Sequence, residues 1–164
     1  MIIVTCMRHV VSISILNNEI GTRTPPRINT CGLHLHSKNI EGVIVLCESL
    51  KTNCSITSVN LCYNDIDNEG VAVLSELLKV NTTITHINLT FNSIDNDGAT
   101  VFAEMLKVNS TLTYIDLSYN NIDNEGVTVL AEALKSNSTV SDLILTSYTT
   151  RAPEVEIHFR PKCH

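Results

Sequence analysis

Aromatic side chains are scarce in this 164-residue sequence, which has no tryptophan and an aromatic fraction of only 4%. Hydrophobic residues nevertheless make up 43% of the chain. The core must therefore be built mainly from aliphatic side chains, and columns of leucine, isoleucine and valine fit that requirement. Large rings are not available to form its centre.

Basic clusters are also missing, and the formal net charge is −6. Nucleic-acid binding requires a basic stripe, so we expect no nucleic-acid partner. No apolar segment is long enough to span a membrane, so we expect no membrane partner. Residues 1–9 begin apolar, which leaves a signal peptide as an alternative. Arg8 and His9 interrupt that run, and no small-x-small cleavage site follows. We therefore favour a cytoplasmic protein.

Motifs for chemistry are absent as well. The sequence has no Cys-x-x-Cys pair, no histidine spacing typical of zinc, no glycine-rich phosphate loop and no Ser-His-Asp set. We expect no cofactor, no metal and no catalytic residue. The six cysteines are interpreted as reduced thiols, with disulfides as the alternative if the chain is secreted. Cys47 falls at a small helix position, which favours a packing role.

What the sequence does contain is one unit written three times at a period of 28 residues, beginning at Asn53, Asn81 and Asn109, with a fourth start at Asn137. One leucine and one glycine keep the same spacing: Leu61, Leu89, Leu117 and Leu145, and Gly70, Gly98 and Gly126. Self-similarity at a fixed period in this range is typical of a solenoid, whose units bury their apolar faces against each other.

The first half of each unit predicts a short strand and a bend. The second copy follows the pattern L-x-x-L-x-L-x-x-N-x-L with Ile84, Ile87, Leu89, Asn92 and Ile94. Ile87 and Leu89 are two residues apart and point to one side of the strand, whereas His86, Asn88 and Thr90 point to the other.

The second half predicts a helix. In the third copy, Val127, Leu130, Ala131 and Leu134 form one apolar stripe. Asp123 is expected to be the N-cap, with Glu125 in the first turn. Gly98 is expected where backbone passes close to a helix start. Stacked units then form a parallel sheet on one side and a row of helices on the other.

Two asparagine columns follow from the period. The first lies in the bend after each strand, where inward amides can satisfy backbone groups, and is interpreted as structural: Asn18, Asn64, Asn92 and Asn120. The second ends each helix, as Asn137 does, and is expected to use the left-handed conformation that asparagine tolerates.

The run N-S-T-L-T-Y-I-D-L-S-Y-N-N-I-D-N-E-G-V-T-V-L-A-E-A-L-K-S-N resembles the ribonuclease-inhibitor class of leucine-rich repeats, which also forms the sensor region of NOD-like receptors. The resemblance covers about residues 53–147 closely and 10–52 weakly. It implies an α/β solenoid, a right-handed superhelix arranged as a horseshoe arc, with the sheet on the concave side. It also implies a family that includes enzyme inhibitors and GTPase activators.

A single domain over residues 1–164 is expected. Its parts are a divergent short repeat (10–30), a divergent repeat with Lys38 in the asparagine column (31–52), regular repeats (53–80, 81–108 and 109–136), a partial repeat (137–148) and a tail (149–164). The tail has two interpretations: an edge strand that caps the stack, or a loosely held segment, which is slightly favoured because Pro153 and Pro161 flank it.

Three patterns suggest specific chemistry but have simpler interpretations. Asp65, Asp67, Glu69, Gly70 and Glu76 approach EF-hand spacing, yet a strand precedes them and a helix contains Glu76, so helix-start charges are favoured. Cys62 and His86 could form a nucleophile and base, or could be polar residues of an exposed sheet. Five N-x-[ST] sequons occur at Asn53, Asn81, Asn88, Asn109 and Asn137, and repetition explains four of them.

The concave sheet face is the candidate site, because aligned copies differ there while the core positions stay apolar. Its tentative partner-binding residues are Ser58, Asn60, Tyr63, His86, Asn88, Phe91, Tyr114, Asp116, Tyr119 and Asp142. Mixed aromatic and polar side chains suit protein interfaces. Two alternatives stay open: free drift of surface residues between copies, and an aromatic column that packs into the bend.

The function expected from the sequence is non-catalytic protein binding by a monomer. The alternatives are a regulator of an enzyme, as an inhibitor or GTPase activator, and the sensor fragment of a larger receptor. All five arginines lie outside the regular repeats, so the repeats themselves offer no arginine to insert into an enzyme.

Overall fold

The computed structural model describes residues 12–15, 32–33, 40–146 and 156–159, with side chains over 40–146. Strands and helices alternate between residues 32 and 146. The strands are β1 (Ser12–Ile15), β2 (Gly32–Leu33), β3 (Ser58–Asn60), β4 (His86–Asn88), β5 (Tyr114–Asp116), β6 (Asp142–Thr146) and β7 (Glu156–Phe159). The helices are α1 (Ile40–Lys51), α2 (Asn68–Val80), α3 (Asn96–Leu106) and α4 (Asn124–Leu134).

The sequence period sets the register of the sheet. Strands β3, β4, β5 and β6 are parallel neighbours, and Ser58, His86, Tyr114 and Asp142 form one row of paired residues across them. Equivalent backbone and side-chain groups therefore bond at a separation of 28 residues, as Thr85 does to Thr57. The alternating strand-helix solenoid predicted from the sequence is confirmed.

The two edges of the sheet depart from a simple sequential stack. The strand order is β2-β1-β3-β4-β5-β6-β7, so β1 lies between β2 and β3. β2 has two residues, whereas β1 pairs with all three residues of β3. At the other edge β7 pairs antiparallel with β6, which corresponds to the capping interpretation of the tail. Asn18, Lys38, Cys6, Cys31 and Cys163 lie outside the described residues.

The core lies between the sheet and the helices and is almost entirely aliphatic. Val59, Ile87, Ile115 and Leu143 are the inward residues of β3 to β6, and each is at most 2% exposed. Leu61, Leu89 and Leu117 follow them in the bends and are equally buried. Phe102 is the one aromatic ring among the fully buried side chains of the described residues. The low aromatic content of the sequence is therefore reflected in how the core is filled.

The helices begin as predicted. Asp123 is the N-cap of α4, and its carboxylate accepts a hydrogen bond from the Glu125 N–H. Asp95 caps α3 in the same way, and Asp67 caps α2 by accepting from the Gly70 N–H. Adjacent caps are also tied together, because the Asn96 amide donates to Asp123 at 2.8 Å and accepts from the Asp123 N–H at 3.1 Å.

The apolar stripe of α4 differs from the predicted one. Leu130 and Ala133 are its fully buried apolar residues, whereas Val127, Ala131 and Leu134 are only partly buried. The equivalent residues of α3, which are Ala99, Ala103 and Leu106, are fully buried. The difference arises because α4 covers α3, while no further helix of the described residues covers α4.

A ladder of asparagines (Asn64, Asn92 and Asn120, hereafter the bend ladder) joins successive repeats. The Asn92 Nδ2 lies within hydrogen-bond distance of three carbonyl oxygens, including Leu61 of the previous unit at 3.0 Å and Leu89 of its own unit at 2.8 Å. Its Oδ1 accepts from the Asn64 and Ile66 N–H groups. The structural role predicted for this column is therefore observed at Asn92 in full detail.

A second ladder stands at the helix ends (Asn81, Asn109 and Asn137, hereafter the helix-end ladder), and here the predicted left-handed backbone is wrong. Asn81 is extended, with φ −75° and ψ 129°. Its side chain acts instead: Oδ1 accepts from the Thr83 and Ile84 N–H groups, and Nδ2 donates to Leu50 O in the preceding helix. A short side chain that bonds both the following turn and the previous repeat explains the choice of asparagine.

Gly98 is needed because of neighbouring side chains rather than passing backbone, which corrects the prediction. A Cβ at this position would collide with Asn68 Oδ1 and with the Cγ2 of Ile94. Asn68 belongs to the chain of cap contacts, since it donates to Asp95 at 2.7 Å. Glycine therefore leaves room for the contact that ties one helix start to the next.

Leu89→Ala is predicted to lower the free energy of unfolding by about 2–5 kcal/mol, because Leu89 is completely buried at the centre of the stack. Urea denaturation followed by circular dichroism measures this change. Val108→Ala is the matched control, since Val108 is 62% exposed. A loss below about 0.5 kcal/mol for Leu89→Ala, as expected for surface changes, would contradict the packing.

Asn92→Ala is predicted to cost about 2–4 kcal/mol, because it leaves several buried backbone groups of two repeats without partners. Asn68→Ala serves as its comparison and should cost only about 1 kcal/mol, since it removes exposed cap bonds. Equal losses in the two variants, measured by urea denaturation, would mean that the bend ladder contributes no more than the surface caps.

Candidate functional site

The face of the sheet turned away from the helices, hereafter the open face, presents two rows of side chains from β3 to β6. Burial alternates along each strand, so residues on either side of the inward one point outward. The first row is Ser58, His86, Tyr114 and Asp142, and the second is Asn60, Asn88, Asp116 and Ile144. Seven of these eight residues are partly buried, and the eighth, His86, is exposed.

The second row also has a structural duty that the sequence did not reveal. Asn60 Oδ1 accepts from the Cys62 N–H, Asn88 Oδ1 from the Thr90 N–H and Asp116 Oδ1 from the Ser118 N–H, at 2.9–3.1 Å. A short side chain that bonds the backbone two residues on forms an Asx turn. These residues therefore start the bend while their remaining atoms line the open face.

Tyr114 is the centre of the more polar half of the open face. Its ring stacks on His86 with centroids 5.7 Å apart and an interplanar angle of 20°. Partial burial is the main cause that raises the pKa of the Tyr114 hydroxyl, and the negative charges of Asp116 and Asp142 raise it further. The hydroxyl therefore stays protonated at neutral pH and can donate a hydrogen bond beside two carboxylates.

The predicted aromatic column forms a continuous stack along the bends. Phe91 lies between Tyr63 and Tyr119, with both centroid distances 4.3 Å and interplanar angles of 11° and 15°. All three residues have left-handed backbones, with φ of 58°, 54° and 55°. Such angles are unusual for aromatic residues, and stacking offsets part of their cost. The column is therefore part of the bends, and Tyr63 at its end is 46% exposed, so partner contact by the column stays a prediction.

Charge is distributed unevenly between the two layers. Residues 40–146 contain four lysines and no arginine, and each lysine pairs with a glutamate three residues earlier near the end of a helix. The open face instead carries Asp116 and Asp142. The four lysines of residues 40–146 thus lie on the helix side, whereas these two carboxylates lie on the open face.

Cys62 and His86 do not form a nucleophile and base. His86 pairs in register with Ser58, and Cys62 stands four residues beyond Ser58, or roughly 13 Å along the strand direction. Burial raises the pKa of the Cys62 thiol, so the reactive thiolate is disfavoured. Cys47 is a buried thiol, and burial raises its pKa to about 12, which agrees with a packing role.

The calcium-like pattern belongs to the helix starts. Asp67 accepts from the Gly70 N–H as the N-cap of α2, and Glu76 pairs with Lys79 at 2.6 Å. Nowhere in the described part of the chain do three His, Cys, Asp or Glu side chains gather closely enough to hold a metal ion. The helices described here are also too short or too polar to cross a membrane.

Comparison with known proteins supports this architecture. A family model described as "Leucine Rich repeat" matches residues 52–75, 80–103 and 108–131. A search of curated protein sequences finds no significant match. Among solved structures, "Leiomodin-1 Actin-Binding Site 2 (ABS2)" is similar, with a TM-score of 0.67 and 21% sequence identity over 87% of this chain and 74% of that chain.

A sequence identity of 21% to the leiomodin structure shows a shared fold and no more. The three matched segments start 28 residues apart, at the same period as the paired strand residues. Together with the alternating strands and helices, they show that the chain belongs to the leucine-rich repeat proteins.

Proposed function

We propose that the chain is a non-catalytic protein-binding module and that the open face receives the partner. The observation that carries the proposal is a contrast between adjacent rows of one sheet. The inward row keeps Val59, Ile87, Ile115 and Leu143, all apolar and buried, whereas the outward row beside it changes from serine to histidine, tyrosine and aspartate. One row is constrained by packing, and the other is available for recognition.

The polar half of the open face suggests what the partner presents there. Tyr114, Asp116 and Asp142 combine one aromatic ring with two carboxylates, and the ring is a good anchor for an interface. A lysine or arginine of the partner could contact the carboxylates and the ring together. We therefore expect capture to weaken as salt concentration rises, since partly exposed charge pairs are screened.

A double change of Tyr114→Ala and Asp116→Asn is predicted to abolish capture of the partner from cell lysate. Asparagine at position 116 keeps an Oδ1 to accept from the Ser118 N–H, as Asn60 and Asn88 do in their own units. The fold should therefore survive, with the same midpoint of thermal unfolding. Affinity capture followed by mass spectrometry compares the proteins retained by the two forms.

The control is Val108→Ala with Asp97→Asn, which removes one apolar side chain and one charge from exposed positions on the helix side. It should retain every protein that the unchanged chain retains. If the open-face variant, still folded, keeps its partner while the helix-side variant loses it, the proposed face is wrong.

Regulation of an enzyme is the alternative function. Actin binding is stated in the name of the similar leiomodin structure, so co-sedimentation with actin filaments is a direct trial. Stimulation of small GTPases is a second trial, although residues 40–146 supply no arginine to such a reaction. A positive result in either assay that disappears with the open-face change would identify the partner class.

We also propose a monomer that works in the cytoplasm, without a membrane or nucleic-acid partner. The described cysteines Cys47, Cys54 and Cys62 are free thiols, which suits a reducing compartment. The acidic balance of the whole chain favours neither nucleic acid nor an anionic lipid surface.

A further inference from the structure

The five glycosylation sequons fall into two structural groups. The sequence alone makes Asn53, Asn81, Asn109 and Asn137 equivalent, because they occupy the same position of successive repeats. Asn88 stands apart on β4. The hydrogen bonds of their Nδ2 atoms give a different division, and Nδ2 is the atom that an N-linked glycan modifies.

Asn81 and Asn109 have buried amides. They are 7% and 6% exposed, and their Nδ2 atoms donate to Leu50 O at 3.2 Å and to Leu78 O at 2.7 Å. Each of these carbonyls belongs to the helix of the preceding repeat. A sugar ring on Nδ2 would need space that is filled by two packed repeats.

Asn137 is less buried, yet both of its amide hydrogens are engaged. Its Nδ2 donates to Leu106 O at 2.7 Å and to Asn109 O at 2.9 Å. Glycan attachment replaces one of these two hydrogens, so at least one bond to the preceding repeat must be lost. A buried or partly buried carbonyl is then left without its donor.

Asn53 and Asn88 are different. Asn53 Oδ1 accepts from the Ser55 and Ile56 N–H groups, and Asn88 Oδ1 accepts from the Thr90 N–H. The Asn88 Nδ2 donates to no residue among those that the structure describes, and its side chain is partly accessible. For Asn53, the position 31 residues earlier, where Asn81 and Asn109 find their acceptors, lies outside the described residues. Modification of Nδ2 at either position would leave these Oδ1 bonds in place.

We propose that an N-glycan on Asn81 or Asn109 and the folded stack are mutually exclusive and that a glycan on Asn137 destabilises the stack, whereas Asn88 is a sequon that the folded chain can carry. The transfer breaks one Nδ2–H bond and the bond from the anomeric carbon of the sugar to the pyrophosphate oxygen of its donor, forms a bond from Nδ2 to that carbon, and releases the amide proton to solvent. The donor is a lipid-linked oligosaccharide pyrophosphate, whose pyrophosphate leaves with the lipid. The same asparagines that join the repeats thus exclude glycosylation from the native state.

The proposal has one consequence for binding, and this consequence rests on the proposed function. Asn88 is in the second row of the open face, beside Asn60 and Asp116. A glycan there would stand on the surface where the partner is expected. A chain that passes through a glycosylating compartment is then either unable to stack its repeats or covered on its binding face.

The test is to express the full chain behind an added secretion leader in mammalian cells and to separate folded from unfolded protein by resistance to trypsin. Enzymatic release of the glycans in heavy-oxygen water converts each modified asparagine to a labelled aspartate, which peptide mass spectrometry then locates. We expect glycans of the folded fraction at Asn88. Occupancy at Asn81, Asn109 and Asn137 should be lower there than in the unfolded fraction by at least about tenfold, since one lost buried hydrogen bond alone shifts a folding equilibrium by about that factor.

The control variant carries Thr83→Ala, Thr111→Ala and Thr139→Ala, which removes three sequons while keeping the helix-end asparagines. Because the change also removes the hydroxyl bonds of Thr83 to Asn53 O and of Thr111 to Asn81 O, each secreted form is compared with the same variant expressed in the cytoplasm. Relative to that reference, the folded fraction of the secreted control variant should rise. Folded protein with glycans on Asn81 or Asn109 at the same occupancy as unfolded protein would overturn the proposal. The proposal would also be overturned if unfolded protein carries these glycans and the control variant does not increase the folded fraction.

Capture of the partner by the Asn88-glycosylated chain separates the two proposals. If the glycan map is as expected but capture is unchanged, the open face is the wrong surface and the glycosylation inference stands. If capture is lost while glycans occupy the helix-end asparagines of folded protein, the open face is supported and the glycosylation inference is wrong.

Discussion

The fold depends on one recurring interaction, the hydrogen bond that an asparagine amide makes to the backbone of the repeat before it. Neighbouring strands from β3 to β6 pair through only three residues each. A ladder of three residues is weak by itself. Asn92 adds a donor to Leu61 O and an acceptor for the Ile66 N–H, at 3.0 and 2.9 Å. The amide thus holds the bend of one unit in register with the next, at a point where neither helix nor sheet can satisfy the backbone.

The helix-end ladder repeats the same solution at the opposite end of each unit. Asn109 Nδ2 donates to Leu78 O, a carbonyl that the end of α2 leaves without an intrahelical partner. The cap contacts of Asn68 and Asn96 then join the helix starts. Asparagine contacts therefore join each repeat to its neighbour at three places, which are the bend, the helix end and the helix start. This explains why aliphatic columns of leucine and isoleucine are enough to define one stack without large aromatic side chains.

The repeat period made much of this predictable. It located the strands, the buried leucines, the bend ladder and the Asp123 cap, because each is a contact between equivalent positions and must recur at the same spacing. What it could not locate depends on unequal neighbours. Ala131 is buried less than Ala103 because no further helix of the described residues covers α4, and β1 rather than β2 pairs with β3. The extended backbone of Asn81 was missed because asparagine suits both a left-handed turn and a side-chain bond, and only the second reaches the preceding repeat.

The open face was harder to evaluate for the same physical reason that made the core easy. Packing leaves a recurring signature in every copy, whereas recognition needs the copies to differ, and difference alone is also what an unconstrained surface produces. The structure adds a distinction that the alignment of copies lacked. Asn60, Asn88 and Asp116 are held by the bends that follow them, so identity in that row reflects backbone geometry. Ser58, His86, Tyr114 and Asp142 have no such shared duty, and the variation in their row is therefore the better evidence for a surface shaped by a partner.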